Sequence, residues 1–492
     1  MGEFRFRVPI EWNLDPYHGN SIHVIGLDGI PWPCRIAVAD DAIEPKTRKL
    51  VSVSRNRDES GRLYVLYSFR ERGEMLICTG TLPVRESPYE LLTELARGTL
   101  NRLRNQISIW EEGGLEIGNE VRLQVIDATS LLSESILSSD SLKRDETARQ
   151  SIETAMDAIF GLSQSFGTQI TKFRREHEQM NTFWMANTIG QGIEFEPSLN
   201  RDEFDLLEVC LNPSDPEQAA RLANGRADEL GKRVIVGPWL DASLGGMCQN
   251  LINVDDFTAR KDQLLIECRQ QLAQIPKTTS LLYVISGLNG IGHRHLSYPQ
   301  QLQVTVDMLR LVEESRVDVP TLISFDFPWA ERLAGAVGGV HPLQIADSLM
   351  RQGLPISFLG IEINLDYWPN GSSVRDPLQW IDLIDVWAQL GLPLVICLRT
   401  PTGKETPANA AGNDRLVNQV RSNLADEHRI TFLNTVMPMM IARPSVHGMI
   451  WRQWSDLDDP RYPRGGLVDS DGAPKLIARV MENMRAAIDG NS

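Results

Sequence analysis

Two glutamates, with tryptophans, amides and aspartates around them, fall where apolar runs of this chain pass into polar turns. Glu331 lies in Thr321–Leu333, TLISFDFPWAERL, where Leu322, Ile323 and Phe325 read as a strand covered on both faces, with Asp326, Trp329 and Glu331 behind it. Glu362 and Asn364 lie in the next such run, GIEINL. The association recurs with Trp239 and Asp241, with Asn289, and with Trp451, Trp454 and Asp456 near the end. It suits a sugar, whose ring has one apolar face that stacks on an indole and a fringe of hydroxyls that need donors and acceptors. A pair of carboxylates adds a reaction. One protonates the leaving oxygen of a glycosidic bond, and the other attacks or activates water.

Each residue also has a plainer reading. A tryptophan at a strand end serves equally well as packed core. Glu331 could cap a helix beginning near Arg332, and Asp326 could be an inward layer residue or a ligand to substrate hydroxyls. Glu362 turned outward would be buried without a partner, which is costly, so an inward side chain is expected. The pair His293 and His295 lacks a third ligand at metal-binding spacing and reads as a solvated loop. Asp458, Asp459, Asp469 and Asp471 depart from the calcium-loop pattern and are explained by turn chemistry. No metal and no cofactor are expected, and the serine-hydrolase, zincin and phosphate-loop motifs do not occur.

The elements that must position these residues follow from the periodicity. Eight strand candidates come in order: 182–187, 204–211, 233–240, 281–288, 321–327, 358–365, 394–399 and 446–454. Helical stripes separate most of them, as in 300–317 and 376–390, and a last helix covers 475–488. Alternation of this kind without a glycine-rich phosphate loop predicts an α/β fold, a closed (β/α)8 TIM barrel over 181–492, with an open sheet as the other candidate. Residues 1–130 alternate with turns like an antiparallel β sandwich carrying a helix at 89–110, and 131–180 read as a helical connector. The first region could bind sugars or simply cap the barrel.

Composition narrows the partners. The chain has 492 residues, of which 42% are hydrophobic and 23% charged, and a net charge of −16. That balance argues against nucleic acid and against anionic membrane surfaces, both of which want clustered lysine and arginine. No run approaches the roughly 18 apolar residues of a membrane span. Six cysteines scattered singly fit free thiols. The amino terminus shows no apolar export segment, so a cytoplasmic location is expected. A carbohydrate is the expected partner.

The ending WRQWSDLDDPRYPRGGLVDSDGAPKL resembles that of the xylanase-type family 10 of clan A glycoside hydrolases. Trp451, Trp454, Asp456, Gly466, Leu467, Asp469, Pro474 and Lys475 carry the likeness. A bacterial subgroup of such barrels has Pro-Trp-Gly-Glu after strand five and Arg-Asp after strand six, similar to Pro328, Trp329, Ala330 and Glu331 and then Arg375 and Asp376 here. The resemblance implies a glycosidase-like barrel. It also implies glutamates ending strands four and seven, where this chain has Ser286 with Gly287 and Cys397 with Leu398. Two expectations result. The chain hydrolyses an oligosaccharide with relocated carboxylates, Glu331 and Glu362, while Trp239, Trp329, Trp454 and Asn364 position the sugar; or it is a non-catalytic barrel that binds carbohydrate or assembles with partners.

Overall fold

Runs such as Leu322–Phe325 and Leu394–Leu398 are buried at every position, the pattern of parallel strands with a layer on each face. In this computed structural model they close into a barrel. The structure describes residues 2–12, 22–177, 182–189, 203–209, 232–241, 256–289, 297–334, 339–403, 418–420 and 425–490.

Two four-stranded sheets come first. One contains β1 (Gly2–Pro9), β4 (Cys34–Asp40), β5 (Arg48–Arg55) and β8 (Tyr89–Glu90); the other contains β2 (Ile22–Gly26), β3 (Pro31–Trp32), β6 (Gly61–Phe69) and β7 (Gly73–Cys78). Alternate residues face one shared core, Phe4, Phe6 and Val8 from β1 and Leu63, Val65 and Tyr67 from β6. The region is antiparallel apart from β8, which pairs with β1 in parallel.

Three helices follow, and the sequence pattern marks the first and the third. They are α1 (Leu91–Glu112), α2 (Asn119–Leu137) and α3 (Ser141–Glu176). The sequence pattern does not mark α2 because Leu123, Ile126 and Leu137 lie on its exposed side, which blurs the buried stripe of Val121, Ala128 and Leu132. The long α3 joins α1 to the rest of the chain. Trp110 stacks on Phe166 with centroids 4.1 Å apart, and Gly167 lets α3 approach the outer ring so closely that a Cβ there would lie 3.0 Å from Pro438.

The barrel strands are β9 (Trp184–Ile189), β10 (Leu206–Val209), β11 (Arg233–Val236), β13 (Thr279–Leu288), β14 (Thr321–Phe325), β15 (Phe358–Asn364), β17 (Leu394–Arg399) and β19 (Val446–Trp451). All pair in parallel with their neighbours, and β19 with β9 completes the ring. The short β12 (Leu240–Asp241) lies beside β13, while β16 (Tyr367–Trp368) and β18 (Gln419–Val420) pair outside the barrel. The expected eight strands are therefore the observed ones, within a few residues at each end. Around them run α4 (Phe257–Leu272), α5 (Tyr298–Ser315), α6 (Pro342–Met350), α7 (Pro377–Ala388), α8 (Asp426–Ile441) and α9 (Leu476–Asp489). The interior is packed rather than hollow, with Ala186, Leu206, Ile235, Leu322, Val395 and Ile450 meeting on the axis.

The sheets and helices of the first part are stitched to the barrel at the start of α7. Arg102 of α1 makes a two-pronged ion pair with Asp376, at 2.7 and 2.8 Å, and the Leu76 amide of β7 donates to the Val374 carbonyl at 2.8 Å. Asp376 has no exposed surface. Burial would raise its carboxyl, but Arg102 outweighs that and holds it below the usual range. Arg102→Ala leaves a buried carboxylate without its cation, so a loss of about 3 kcal/mol is expected. The check is the thermal midpoint: an unchanged value in Arg102→Ala would mean that the pair contributes nothing to the join.

Candidate functional site

The upper interior of the barrel is polar. Glu208 of β10, Tyr283 of β13, Ser324 of β14 and Glu362 of β15 converge there with Arg452, which follows β19. Arg452 donates to Glu208 at 2.6 Å and lies 3.6 Å from Glu362. The Tyr283 hydroxyl donates to the Glu362 carboxylate, and the Ser324 hydroxyl donates to the same oxygen at 2.7 Å. Gly360 makes room for this, since a Cβ there would lie 2.5 Å from Ser324 Cβ. Burial, and then the neighbouring Glu362, push the Glu208 carboxyl up against the pull of Arg452. Desolvation works against the Arg452 guanidinium, yet the two carboxylates hold it well above its ordinary value.

One layer higher, three adjacent strand ends form a row. Asp326 follows β14, and Asn364 ends β15 directly opposite Arg399 of β17. The Asn364 amide donates to Asp326 Oδ1 at 3.2 Å, and the Phe327 backbone N–H donates to the same oxygen at 3.0 Å. Asp326 Oδ2, Asn364 Oδ1 and Arg399 Nε are buried without a protein partner among the described residues. Burial, reinforced by the charge of Glu362, pushes the Asp326 carboxyl up to about 8. It is therefore mostly a neutral acid at pH 7.

The row continues into the loop after β19. Arg399 donates to Asp459 at 3.0 Å and lies over the Tyr462 ring at 4.0 Å. Arg461 holds Asp459 at 2.8 Å and Asp241 at 3.1 Å. Although burial opposes it, Arg461 and then Arg399 keep the Asp459 carboxyl far below the usual carboxylate range. Trp454 is partly buried on the same loop. Charges here are matched, guanidinium against carboxylate.

The structure separates the two glutamates expected to work as a pair. Glu362 belongs to the interior network. Glu331 opens a short 3-10 turn and is 1% exposed, with Arg375 as its cation at 3.5 Å. That places it at the join with the first sheets, where Arg375 also lies over the Trp329 ring at 4.8 Å and the Tyr64 ring at 5.8 Å. Both Glu331 carboxylate oxygens are buried without a hydrogen-bond partner among the described residues, so the Arg375 ion pair is what compensates this charge. Trp329 is likewise committed, edge-on to Trp380 and donating to the Gln379 carbonyl at 3.4 Å.

Several other expected sugar ligands are buried or bonded within the protein. Trp239 is 1% exposed, and Trp451 is fully buried, donating to the Gly465 carbonyl at 3.1 Å. Asp456 accepts from Lys475 at 2.8 Å and from the Gly466 amide at 2.9 Å, closing its own loop. The Asn289 backbone carbonyl accepts from Arg332 at 3.1 Å. Asp469 accepts from the Asp471 and Ala473 amides, as a turn residue does. His293 and His295 lie outside the described residues. What the geometry brings together from the expected set is Asp326 and Asn364, with Asp241 linked to them through Arg461, Asp459 and Arg399 and with Glu362 on the same strand as Asn364.

Sequence reasoning missed Arg399, Arg452, Arg461, Tyr283 and Tyr462. A signal existed for two of them, because an arginine ending a run such as LVICLR or GMIWR must find a buried anion. Nothing in Pro-Arg-Tyr-Pro marked Arg461 or Tyr462.

No protein-family model and no curated protein matches this chain. Among solved structures it is similar to the native xylanase 10B from Thermotoga maritima, at 11% identity and a TM-score of 0.43, over 65% of this chain and 98% of that one. It is similar to the xylanase 10B from Thermotoga petrophila RKU-1, solved in complex with xylobiose, at 13% identity and 0.42, over 63% and 97%. It is similar also to a thermostable xylanase mutant from Cellvibrio japonicus, at 11% identity and 0.44, over 63% and 99%.

Proposed function

We propose that the carboxyl end of the barrel binds a neutral oligosaccharide, and that it does so without hydrolysis through Glu331 and Glu362. The row of Asp326 Oδ2, Asn364 Oδ1 and Arg399 Nε carries this reading. A protonated acid, an amide oxygen and a guanidinium N–H offer donors and an acceptor together, which is what sugar hydroxyls require. Neighbouring strands lie about 4.8 Å apart, so the row spans roughly 10 Å, a length that suits one or two sugar rings. Because the charge of Arg399 is already matched by Asp459, an uncharged ligand fits better than an anion.

A two-carboxylate hydrolase needs one acid and one ionised partner, both aimed at the same bond. Here Asp241 and Asp459 are held by Arg461, and Asp456 by Lys475. One observation favours a second reading, hydrolysis with Asp326 as proton donor: its carboxyl is a neutral acid at pH 7.

The test is calorimetric titration with neutral xylo-, cello-, manno- and arabino-oligosaccharides, together with an aryl-glycoside hydrolysis panel. At least one oligosaccharide should bind the wild type, and Asn364→Ala and Asp326→Ala should each weaken it by on the order of tenfold, the worth of about one hydrogen bond. Binding to none of them, or binding indifferent to both substitutions, would sink the proposal. Turnover that disappears in Asp326→Asn while binding persists selects the second reading.

A further inference from the structure

Between the first sheets and the Asp326 row runs one uninterrupted line of contacts. It starts at the edge of β7, where the Leu76 carbonyl accepts from the Gln379 side chain at 2.7 Å. Gln379 accepts in turn from Arg375 at 2.9 Å, and Arg375 reaches Glu331. On the far side of Arg375, Tyr64 of β6 stacks on the buried His23 of β2 with centroids 5.2 Å apart and planes within 3°. Glu331 ends the turn Phe327–Glu331, and the first amide of that turn donates to Asp326.

The turn would not hold its shape unaided. Phe327 and Ala330 sit in the left-handed region, at φ 49° and 60°, without being glycine. Each such residue costs about 1–2 kcal/mol. The turn is pinned at several points: Trp387 donates to the Pro328 carbonyl at 3.3 Å, Trp329 donates to Gln379, and Arg375 holds Glu331 from the side of the first sheets. Strained backbone persists only when its surroundings over-determine it.

We infer that Arg375 and Glu331 are positioning residues through which the amino-terminal sheets set the shape of the ligand site, by holding the Phe327–Glu331 turn and so the Phe327 amide against Asp326. This assigns a role to the Pro-Trp-Ala-Glu and Arg-Asp segments that substrate contact does not give them. It makes the first sheets part of the site's scaffold rather than a separate binding module. It rests on the reading of Asp326 as a ligand-facing acid, but its test needs no ligand.

The groups that face Asp326 are Glu362 from β15, Glu331 and Arg332 from its own loop, and Tyr462 from the loop after β19. Two variants separate position from field. Arg375→Lys keeps the charge but cannot stack on Trp329 while also meeting Gln379 and Glu331. Glu331→Gln keeps the shape and removes the ion pair. Amide hydrogen exchange is measured over Phe327–Leu333, and the Asp326 carboxyl is titrated in protein carrying 13C-labelled aspartate, its signal assigned by loss in Asp326→Asn.

In Arg375→Lys, exchange at Phe327 and Ala330 should quicken by roughly tenfold or more while the barrel strands stay protected. The Asp326 midpoint should rise in both variants, because the Phe327 amide favours the charged carboxylate and its departure removes that help. A field effect alone predicts the opposite sign for Glu331→Gln, since a nearby negative charge is lost. Unchanged exchange in Arg375→Lys, or a downward shift in Glu331→Gln, overturns the inference. Failure of oligosaccharide binding would overturn only the ligand reading.

Discussion

Asparagine in place of Asp326 is expected to make the protein more stable at pH 7, by on the order of 4 kcal/mol, while removing its capacity to give up a proton. The sign follows from the direction of the shift. Burial and Glu362 push the folded carboxyl up to about 8, far above the value near 3.9 of an unfolded aspartate. A group raised in this way contributes its full stability only below the unfolded value, and loses it as the pH rises from about 4 through 8. At pH 7 the loss is roughly three pKa units, at about 1.4 kcal/mol each.

Asparagine does not titrate. Its Oδ1 can still accept from the Phe327 amide and from Asn364, so the local shape has no reason to change. Its amide nitrogen takes the place of Oδ2, which has no protein partner among the described residues. Thermal unfolding of wild type and Asp326→Asn at pH 4, 7 and 9 decides the matter, with the gap expected near zero at pH 4 and widest at pH 9. A gap that does not vary with pH would show that Asp326 titrates normally. Stability given up at one buried acid is common where a ligand must meet that acid.

How much of this was legible in the sequence depends on which force fixed each residue. The barrel was legible because a strand buried on both faces leaves a mostly apolar run, and Leu281–Ile285, Leu322–Phe325, broken only by Ser324, and Leu394–Leu398 are such runs. Asp326 is marked in a similar way, as the first charged side chain past the run on its strand, whereas Asn364 follows Glu362 on β15. Partnership was not legible. Glu331 and Glu362 leave adjacent strands only 31 positions apart in the chain, yet one turns outward to Arg375 and the other inward to Tyr283, Ser324 and Arg452.

Which cation a buried carboxylate finds depends on residues far away in sequence, and no local pattern encodes it. The motif-like segments show the same dependence on distant partners. Pro328–Glu331 and Arg375–Asp376 look like site residues because they are polar and aromatic at strand ends, whereas the contacts of the first run to α7 and Arg375 and those of the second to α1 and β6. An aromatic beside a carboxylate marks a place where polar groups are buried. It does not say whether a ligand or another part of the chain buries them.

The interior network supplies the other large effect. In Arg452→Met the protein should lose about 3–5 kcal/mol at neutral pH, because Glu208 and Glu362 then share the barrel interior with no cation between them. Tyr283 and Ser324 still donate to Glu362, so the larger part of the cost falls on Glu208, whose carboxyl burial already pushes up. With its folded value above its unfolded one, Glu208 favours folding at low pH and loses that contribution as the pH rises. Removing Arg452 raises the folded value further. The destabilisation of Arg452→Met should therefore be small near pH 4.5 and grow toward pH 8, and Glu208→Gln should restore a large share of it in the double variant, since an amide carries no charge to strand. Denaturation midpoints at the two pH values distinguish this from a packing defect, which would cost the same at both. A defect of that size would also reach the site above, because Glu362 is the charged neighbour that helps to keep Asp326 in its acid form. Any rearrangement that carries Glu362 away from Asp326 would let the Asp326 carboxyl titrate lower, and the same 13C titration would record it.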